Sequence, residues 1–452
     1  MDMSDGLPAA RRRLVMSCAV LGVVLAGLDS AIANIALPTI ARDLAATDAA
    51  TIWVVNSYQL AVTVCLLPAA ALGEIWGLKR IYGLGLVIFT IASLACALSP
   101  TLPLLVTSRL MQGVGGACMA ALGGALVRTI FPRALLGRGY ALIALSVALA
   151  AAAGPSLAAL ILSVAHWPWL FLVNVPVGAI AIPLFIKVAP AGERRARSFD
   201  WIGTAINAAA FGLIVTGVDG LGGSARGLAL IELAVGLVFG VLLFRQQSRQ
   251  PSPMLPLDLL RIRLFALSMA TSVCSYSAQI LAYVSLPFLF QAVMHRSAVA
   301  TGLLVTAWPL LVAVAAPIAG RLSDRYPAAI LGSIGLAILA SGLLLLATMP
   351  AVPADWNVVW RMAICGVGFG FYQTPNNITL MTAGPPSRNS AASAMVAVAR
   401  TVGWSLGSAV VALIFGLRGD LAAGECLYVA AGFAAVGAVV SVSRTGAQPV
   451  TA

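Results

Sequence analysis

Apolar residues are grouped in fourteen runs of about 20, the length an α-helix needs to cross a hydrocarbon core about 30 Å thick. The runs lie near 14–37, 51–72, 79–98, 103–127, 139–162, 168–186, 199–217, 228–244, 264–290, 300–319, 329–348, 357–381, 392–415 and 424–441. Each predicts one membrane-spanning helix. In the first run, Leu21, Leu25, Leu28, Ile32 and Ile35 form a bulky stripe at helical spacing, and Gly22, Ala26, Asp29, Ala33 and Ala36 form a small one. The bulky stripe is expected to face lipid. The small one, carrying Asp29, is expected to face protein or an internal cavity.

Composition narrows the class. Of 452 residues 61% are hydrophobic and 9% charged, with a mean hydropathy of +1.00. So little charge cannot cover a water-soluble globule, so the chain reads as an all-α polytopic membrane protein. Its net charge of +12 does not mark a nucleic-acid binder, because the basic residues fall in short loops and form no compact basic domain. Twenty of the 27 lie on one side of the alternating spans, including Arg11 to Arg13, Arg133, Arg194, Arg195, Arg197, Arg388 and Arg444. Such a bias places that side, and both termini, in the cytoplasm. The apolar run after Arg11 to Arg13 resembles a signal peptide, but it reads better as an uncleaved first span. The seven cysteines show no metal-ligand or disulfide pattern.

A repeat emerges next. The loop ALGEIWGLKR (71–80) corresponds to GRLSDRYP (320–327), with Glu74 opposite Asp324 at an offset of 250. Arg109 corresponds to Arg361 at an offset of 252. Two six-helix bundles with two inserted helices between them explain both offsets. The expected division is a tail 1–13, a bundle 14–190, a linker with the extra helices 191–263, a bundle 264–441 and a tail 442–452. Duplicated halves around a midplane site are a recurring plan of secondary transporters. No phosphate-binding Walker sequence occurs, so the expected energy source is a proton gradient with no cofactor.

Two charges sit deep in the apolar runs. Asp29 lies about 22 Å along its helix from the cytoplasmic side, and Arg109 about 9 Å below the outer face, at 1.5 Å per residue. In a core of about 30 Å those depths nearly coincide. The two are expected to pair, either as a permanent structural bridge or as a switch. In the switch, Asp29 exchanges a proton while Arg109 and a cationic substrate compete for its charge; burial disfavours the ionised acid and a neighbouring guanidinium favours it. Arg109 shares its face with Gln112, Gly113, Gly116, Ala120 and Gly123.

Other polar or aromatic residues within spans are candidates to line a pathway: Tyr58, Gln59, Gln279, Tyr283, Gln373, Asn376 and Asn377. Phe171, Trp308 and Trp404 offer ring faces for a cation. Trp53 and other tryptophans near span ends read as interface anchors. Asp219 and Glu232 read as outer-face residues of the inserted spans.

At this point the chain resembles the major facilitator superfamily, specifically its fourteen-span drug:proton antiporter branch. LDSAIANIALP (28–38) resembles that branch's first-span motif, and RLMQGVGGA (109–117) its fourth-span motif. AAAGPSLAA (151–159) resembles the span-5 antiporter motif around Gly154 and Pro155. HWPWLFLVNVPVG (166–178) resembles the opening of span 6, and ARTVGWSLGSA (399–409) a span-13 motif with Arg400, Gly403 and Gly407. The resemblance implies a multidrug exporter in a bacterial inner membrane that works by alternating access, with Asp29 and Arg109 coupling protons. It implies gating and packing roles for Glu74, Lys79, Arg80, Gly113, Gly154, Pro155, Arg321, Asp324, Arg325, Arg361, Arg400, Gly403 and Gly407. The first loop departs from the family pattern, since Ala70, Ile75 and Leu78 stand where the pattern has glycine or arginine. The expected partners are a small drug-like substrate, protons and the bilayer, with no nucleic acid and function as a monomer. A dedicated exporter of one metabolite or antibiotic is the nearest alternative, and a non-transporting receptor or scaffold the more distant one. No nucleophile–base or metal constellation indicates an enzyme.

Overall fold

A computed structural model describes residues 7–132, 135–190, 198–222, 226–250, 257–350, 353–384, 389–419 and 422–445. Arg133, Arg194, Arg195, Arg197, Arg388 and parts of the expected tails and linker lie outside the described residues. Among those described, every regular element is a helix.

The N-terminal bundle contains α1 (Ala9–Asp43), α3 (Trp53–Trp76), α4 (Leu78–Ala97), α5 (Leu102–Ile130), α6 (Leu136–Val164) and α8 (Asn174–Val188), with short α2 (Asp48–Thr51) and α7 (Pro168–Leu172) leading into α3 and α8. The inserted pair is α9 (Trp201–Gly220) and α10 (Arg226–Arg249). The C-terminal bundle contains α11 (Arg263–Phe288), α12 (Ala298–Leu322), α13 (Ala328–Ala347), α14 (Asp355–Thr382), α15 (Asn389–Arg418) and α16 (Ala422–Val442). Each of the fourteen apolar runs thus has its helix. Thirteen of these are apolar and long enough to span by composition alone. The fourteenth, α14, is 28 residues long but carries Asp355, Arg361 and several amides.

The internal repeat extends to single contacts. Thr47 caps α2 by accepting from the Ala50 amide at 3.2 Å, and Ser297, 250 residues later, caps α12 from the Ala300 amide at 3.1 Å. Gly113 of α5 lies where an added Cβ would meet the Tyr58 carbonyl oxygen at 2.5 Å, and Gly366 of α14 would meet the Trp308 carbonyl oxygen at 2.3 Å. Tyr58 and Trp308 are also 250 apart. Only glycine permits either approach of helix backbone to helix backbone.

One expectation for α1 is corrected. Leu25, Ile32 and Ile35 of its bulky stripe are buried, and from Ile32 to Pro38 every residue is enclosed. The outer half of α1 is a central helix packed on all sides, so it has no lipid face for a stripe to occupy.

The two ends of the molecule differ. The first and last described residues lie at what we call the basic end, where Leu7 bonds Ile130 and Arg11 bonds the Val188 carbonyl. At the far end, one core joins both bundles: Ile32, Ile35 and Val54 of the first pack with Leu281, Phe288 and Trp308 of the second. The side chain of Gln291 bonds the Ile35 carbonyl at 2.8 Å across that junction and reaches Thr39 at 3.5 Å. At the basic end the bundles have separate cores, one around Met16, Tyr82 and Leu126 and one around Phe265, Leu380 and Met395. Glu74, Arg80, Arg321, Asp324 and Arg325 are exposed there and Lys79 is half-buried. The molecule is therefore sealed at the far end and parted at the basic end.

Candidate functional site

Asp29, at midlength of α1, is enclosed by four helices. Its Oδ2 takes an ion pair from Arg109 of α5, and both side chains are 1% exposed. Its Oδ1 accepts from Gln112 Nε2 at 2.7 Å and from Asn174 Nδ2 of α8 at 3.0 Å. Gln112 Nε2 also donates to Ser93 Oγ of α4 at 2.8 Å, and its Oε1 accepts from Arg109. Arg109 Nε donates to the Val54 carbonyl at 2.9 Å. The guanidinium lies over the Tyr58 ring, 4.4 Å from its centroid, and 5.5 Å from that of Phe171. The equal depths inferred for Asp29 and Arg109 thus correspond to a direct pair.

The local sequence makes this possible. Gln112 follows Arg109 by three residues and so falls on the same helix face. Gly116 leaves room for the Tyr58 hydroxyl, which an added Cβ would approach to 2.7 Å. Every polar group facing Asp29 is a donor, an arrangement that matches a carboxylate, which only accepts. A protonated acid would set its own O–H against those donors. Loading a proton therefore requires the cage to rearrange.

A second group assembles in the C-terminal bundle. Trp404 of α15 donates to Gln279 of α11 at 3.3 Å, and Gln373 of α14 donates to the Tyr276 hydroxyl at 3.2 Å. The Tyr276 and Trp404 rings meet edge to face at 6.1 Å. Tyr283 and Trp308 form another edge-to-face pair at 5.1 Å, with the Trp308 indole nitrogen buried and unpartnered.

Other sequence candidates fall elsewhere. Asn376 is fully buried and bonds Arg444 and Ser272. Asn377 is half-buried and Gln59 is buried. Arg361 does not reproduce the pairing of Arg109; it bonds Asn357 on its own helix and stacks on Trp360 at 4.6 Å. Arg400 lies 5.4 Å over Trp404. Gly154 packs on Ala31 within its own bundle, whereas the Pro155 carbonyl meets Gly302 of the other, so the span-5 motif contacts both. Gly403 and Gly407 let α15 lie directly on α11 at Tyr276, Ser277 and Ile280.

Several participants were missed from sequence. Asn174 stands inside the span-6 motif, so the motif itself was its signal. Ser93 looked like any small residue of an apolar run. Arg444 was counted only as a topology charge, yet it is 2% exposed. Trp53, read as an interface anchor, donates its indole N–H to Asp219 of α9 at 2.9 Å.

The profile of the Major Facilitator Superfamily matches residues 19–408. The chain is 48% identical over 441 residues to the uncharacterized transporter YebQ of Escherichia coli K12, covering 97% of this chain and 96% of the relative. It is 30% identical to the riboflavin transporter RibZ of Clostridioides difficile, over 89% and 87% of the two chains. It is 32% identical to the multidrug resistance protein Stp of Mycobacterium tuberculosis, over 86% and 73%. Among solved structures, a POT family transporter in complex with a thioalcohol-conjugated peptide superposes with a TM-score of 0.71 at 14% identity, over 95% of this chain and 96% of that one. An inward-facing bacterial homologue of the lysosomal transporter Spinster gives 0.66 at 14%, over 97% and 99%. At those identities the likeness is one of fold.

Proposed function

We propose that this chain, which belongs to the Major Facilitator Superfamily, is a proton-coupled antiporter that exports lipophilic, cationic compounds from the cytoplasm. The observation that carries this reading is the enclosed Asp29–Arg109 pair, in which Asp29, the one deep acid among the described residues, sits in a cage of donors. An intramembrane ionisable pair is costly and marks ion pathways in transporters. The positive-inside bias makes the basic end cytoplasmic, so the conformation is inward-facing, with Asp29 held as an acceptor after its proton has left. In the outward-facing state the cage loosens, Asp29 takes a proton from outside, and the next inward turn releases it. A cation admitted between the bundles competes with Arg109 for the same carboxylate, which links export to proton entry. Asp29 and Arg109 act as the coupling pair. Tyr58, Phe171, Gln279, Tyr283, Gln373, Trp308 and Trp404 supply rings and amides for a broad pocket. Likeness to a multidrug resistance protein supports export of drug-like compounds. Likeness to a riboflavin transporter supports the second reading, a carrier of one planar metabolite.

The test is pH-gradient-driven uptake of a lipophilic cationic dye into inverted vesicles, with proton release from the lumen recorded in parallel. Wild type is expected to exchange dye for protons and Asp29→Asn to lose the exchange. Equal proton-coupled flux in both proteins refutes the role of Asp29.

A further inference from the structure

The inserted helices lie against the seam between the two bundles. Trp53 holds Asp219, and Asn207 of α9 donates to the Val64 carbonyl of α3 at 3.0 Å. Between this hairpin, α3 and α15 lies a crevice of about 210 Å³. Its walls include Thr63 of α3, Phe211 and Ile214 of α9, Gly240 and Phe244 of α10, and Val398 of α15. Phe244 is 55% exposed on the outer rim, so the crevice opens sideways to the bilayer rather than to water. Phe244, five residues before the basic end of α10, and Val398, near the start of α15, place it in the membrane half toward the basic end.

Thr63 gives its hydroxyl proton to the Gln59 carbonyl at 2.8 Å, so the 2.9 Å contact between Thr63 Oγ1 and Ser405 Oγ is donated by Ser405. This hydroxyl bond joins α3 of one bundle to α15 of the other. The neighbouring residue on α15 is Trp404, which belongs to the ring and amide group with Tyr276 and Gln279.

An apolar cavity of about 150 Å³ stays dry and accepts a benzene ring. A crevice of this size and lining accommodates an aromatic ring or a short hydrocarbon chain. We propose that it is a lateral entry site, which takes the hydrophobic ring of a transported lipophile out of the inner leaflet and passes it across the Thr63–Ser405 seam. This assigns the inserted helices a role in capture. It rests on the reading that the cargo is lipophilic.

Gly240 offers the test, since it lines the crevice and an added Cβ there meets nothing within 4 Å. Protein in lipid nanodiscs, without a proton gradient, is photolabelled with an aryl-diazirine phosphonium cation and the adducts are mapped by mass spectrometry. Labelling is expected at Phe211, Phe244 and Val398, competed by the unlabelled cation and reduced at least tenfold in Gly240→Phe but not in Gly240→Ala. Thermal melts of both variants should match wild type. In vesicles, Gly240→Phe should raise the KM for the cation severalfold with little change in kcat. Labelling confined to the outer face of α10 at Val238 and Val241 overturns the proposal. So does crevice labelling that unlabelled cation leaves unchanged while added phospholipid competes for it, which identifies a resident acyl chain. Because the labelling needs no gradient, failure of proton coupling leaves its outcome intact.

Discussion

Removing either member of the Asp29–Arg109 pair should destabilise the protein unequally. Asp29→Asn strands a guanidinium that cannot lose its proton at any accessible pH. The introduced amide also sets N–H groups against Arg109 or against Gln112 and Asn174, whichever way it turns. Stranding a buried charge costs about 3–5 kcal/mol. Arg109→Gln leaves Asp29 with two neutral donors and the option of taking up a proton, so its cost should be lower, about 2–3 kcal/mol. The double variant buries no charge and should lose about 3 kcal/mol less than the sum of the singles, at the upper end of coupling between contacting residues. The assay is denaturant unfolding in micelles, followed by the fluorescence of the nine tryptophans. Additivity of the two losses within about 0.5 kcal/mol would show that the pair is not formed and remove the basis for a charge switch.

Two further outcomes follow from the ends of the molecule. Gln291→Leu removes the bond to the Ile35 carbonyl. A neutral hydrogen bond contributes about 1 kcal/mol, so the inward-to-outward ratio should shift about fivefold, read as faster labelling of Ile35→Cys from the far side; an unchanged rate would mean that Gln291 does not hold the seal. At the basic end of the hairpin, Asp200 caps α9 and accepts from the Gly203 amide and from Gln246, Gln247 and Gln250. Burial pushes its pKa up, but these donors outweigh it and hold the carboxyl below the usual range. The sign of the linkage is that its stabilisation is present above the unfolded value of about 4 and is lost as pH falls through the lower folded value. Asp200→Asn should therefore melt below wild type at pH 7, with the gap closing toward pH 3, and a gap that widens on acidification would contradict the capping role.

Much of this was legible because membrane helices obey few rules. Length and hydropathy located the fourteen spans, and counting residues from each face located Asp29 opposite Arg109. What sequence could not resolve was which helices are central. In water a bulky stripe means core; in a bilayer lipid and protein interior are equally apolar, so Leu25 and Ile32 could not be sorted by type. Nor could composition separate a pathway amide from a packing amide. Gln373 lies with Tyr276 and Asn376 lies under Arg444, although they are three residues apart on one helix.

The repeat makes a sharper comparison possible. By the 250-residue offset, α1, α4, α5 and α8 correspond to α11, α13, α14 and α16. Each set of four has one buried arginine in or just beyond it, but at opposite ends. Arg109 sits toward the far end with Asp29. Arg444 sits at the basic end, bonded to Ser268, Asn376 and Ser441, with Gly332 of α13 beside it. Burial lowers the Arg444 pKa to about 10, so it stays charged at neutral pH, and it bonds hydroxyls, an amide and a carbonyl. Among the described residues, that network has no acid to exchange a proton. Arg109, in contrast, bonds the Val54 carbonyl and faces the Phe171 ring, and both residues belong to the core that seals the far end. A proton on Asp29 therefore acts on a group in direct contact with the seal, whereas the C-terminal network binds helix ends that lie away from it. On the proposed mechanism, the coupling asymmetry of a duplicated fold follows from where each half keeps its arginine, and from which of the two arginines was given a carboxylate.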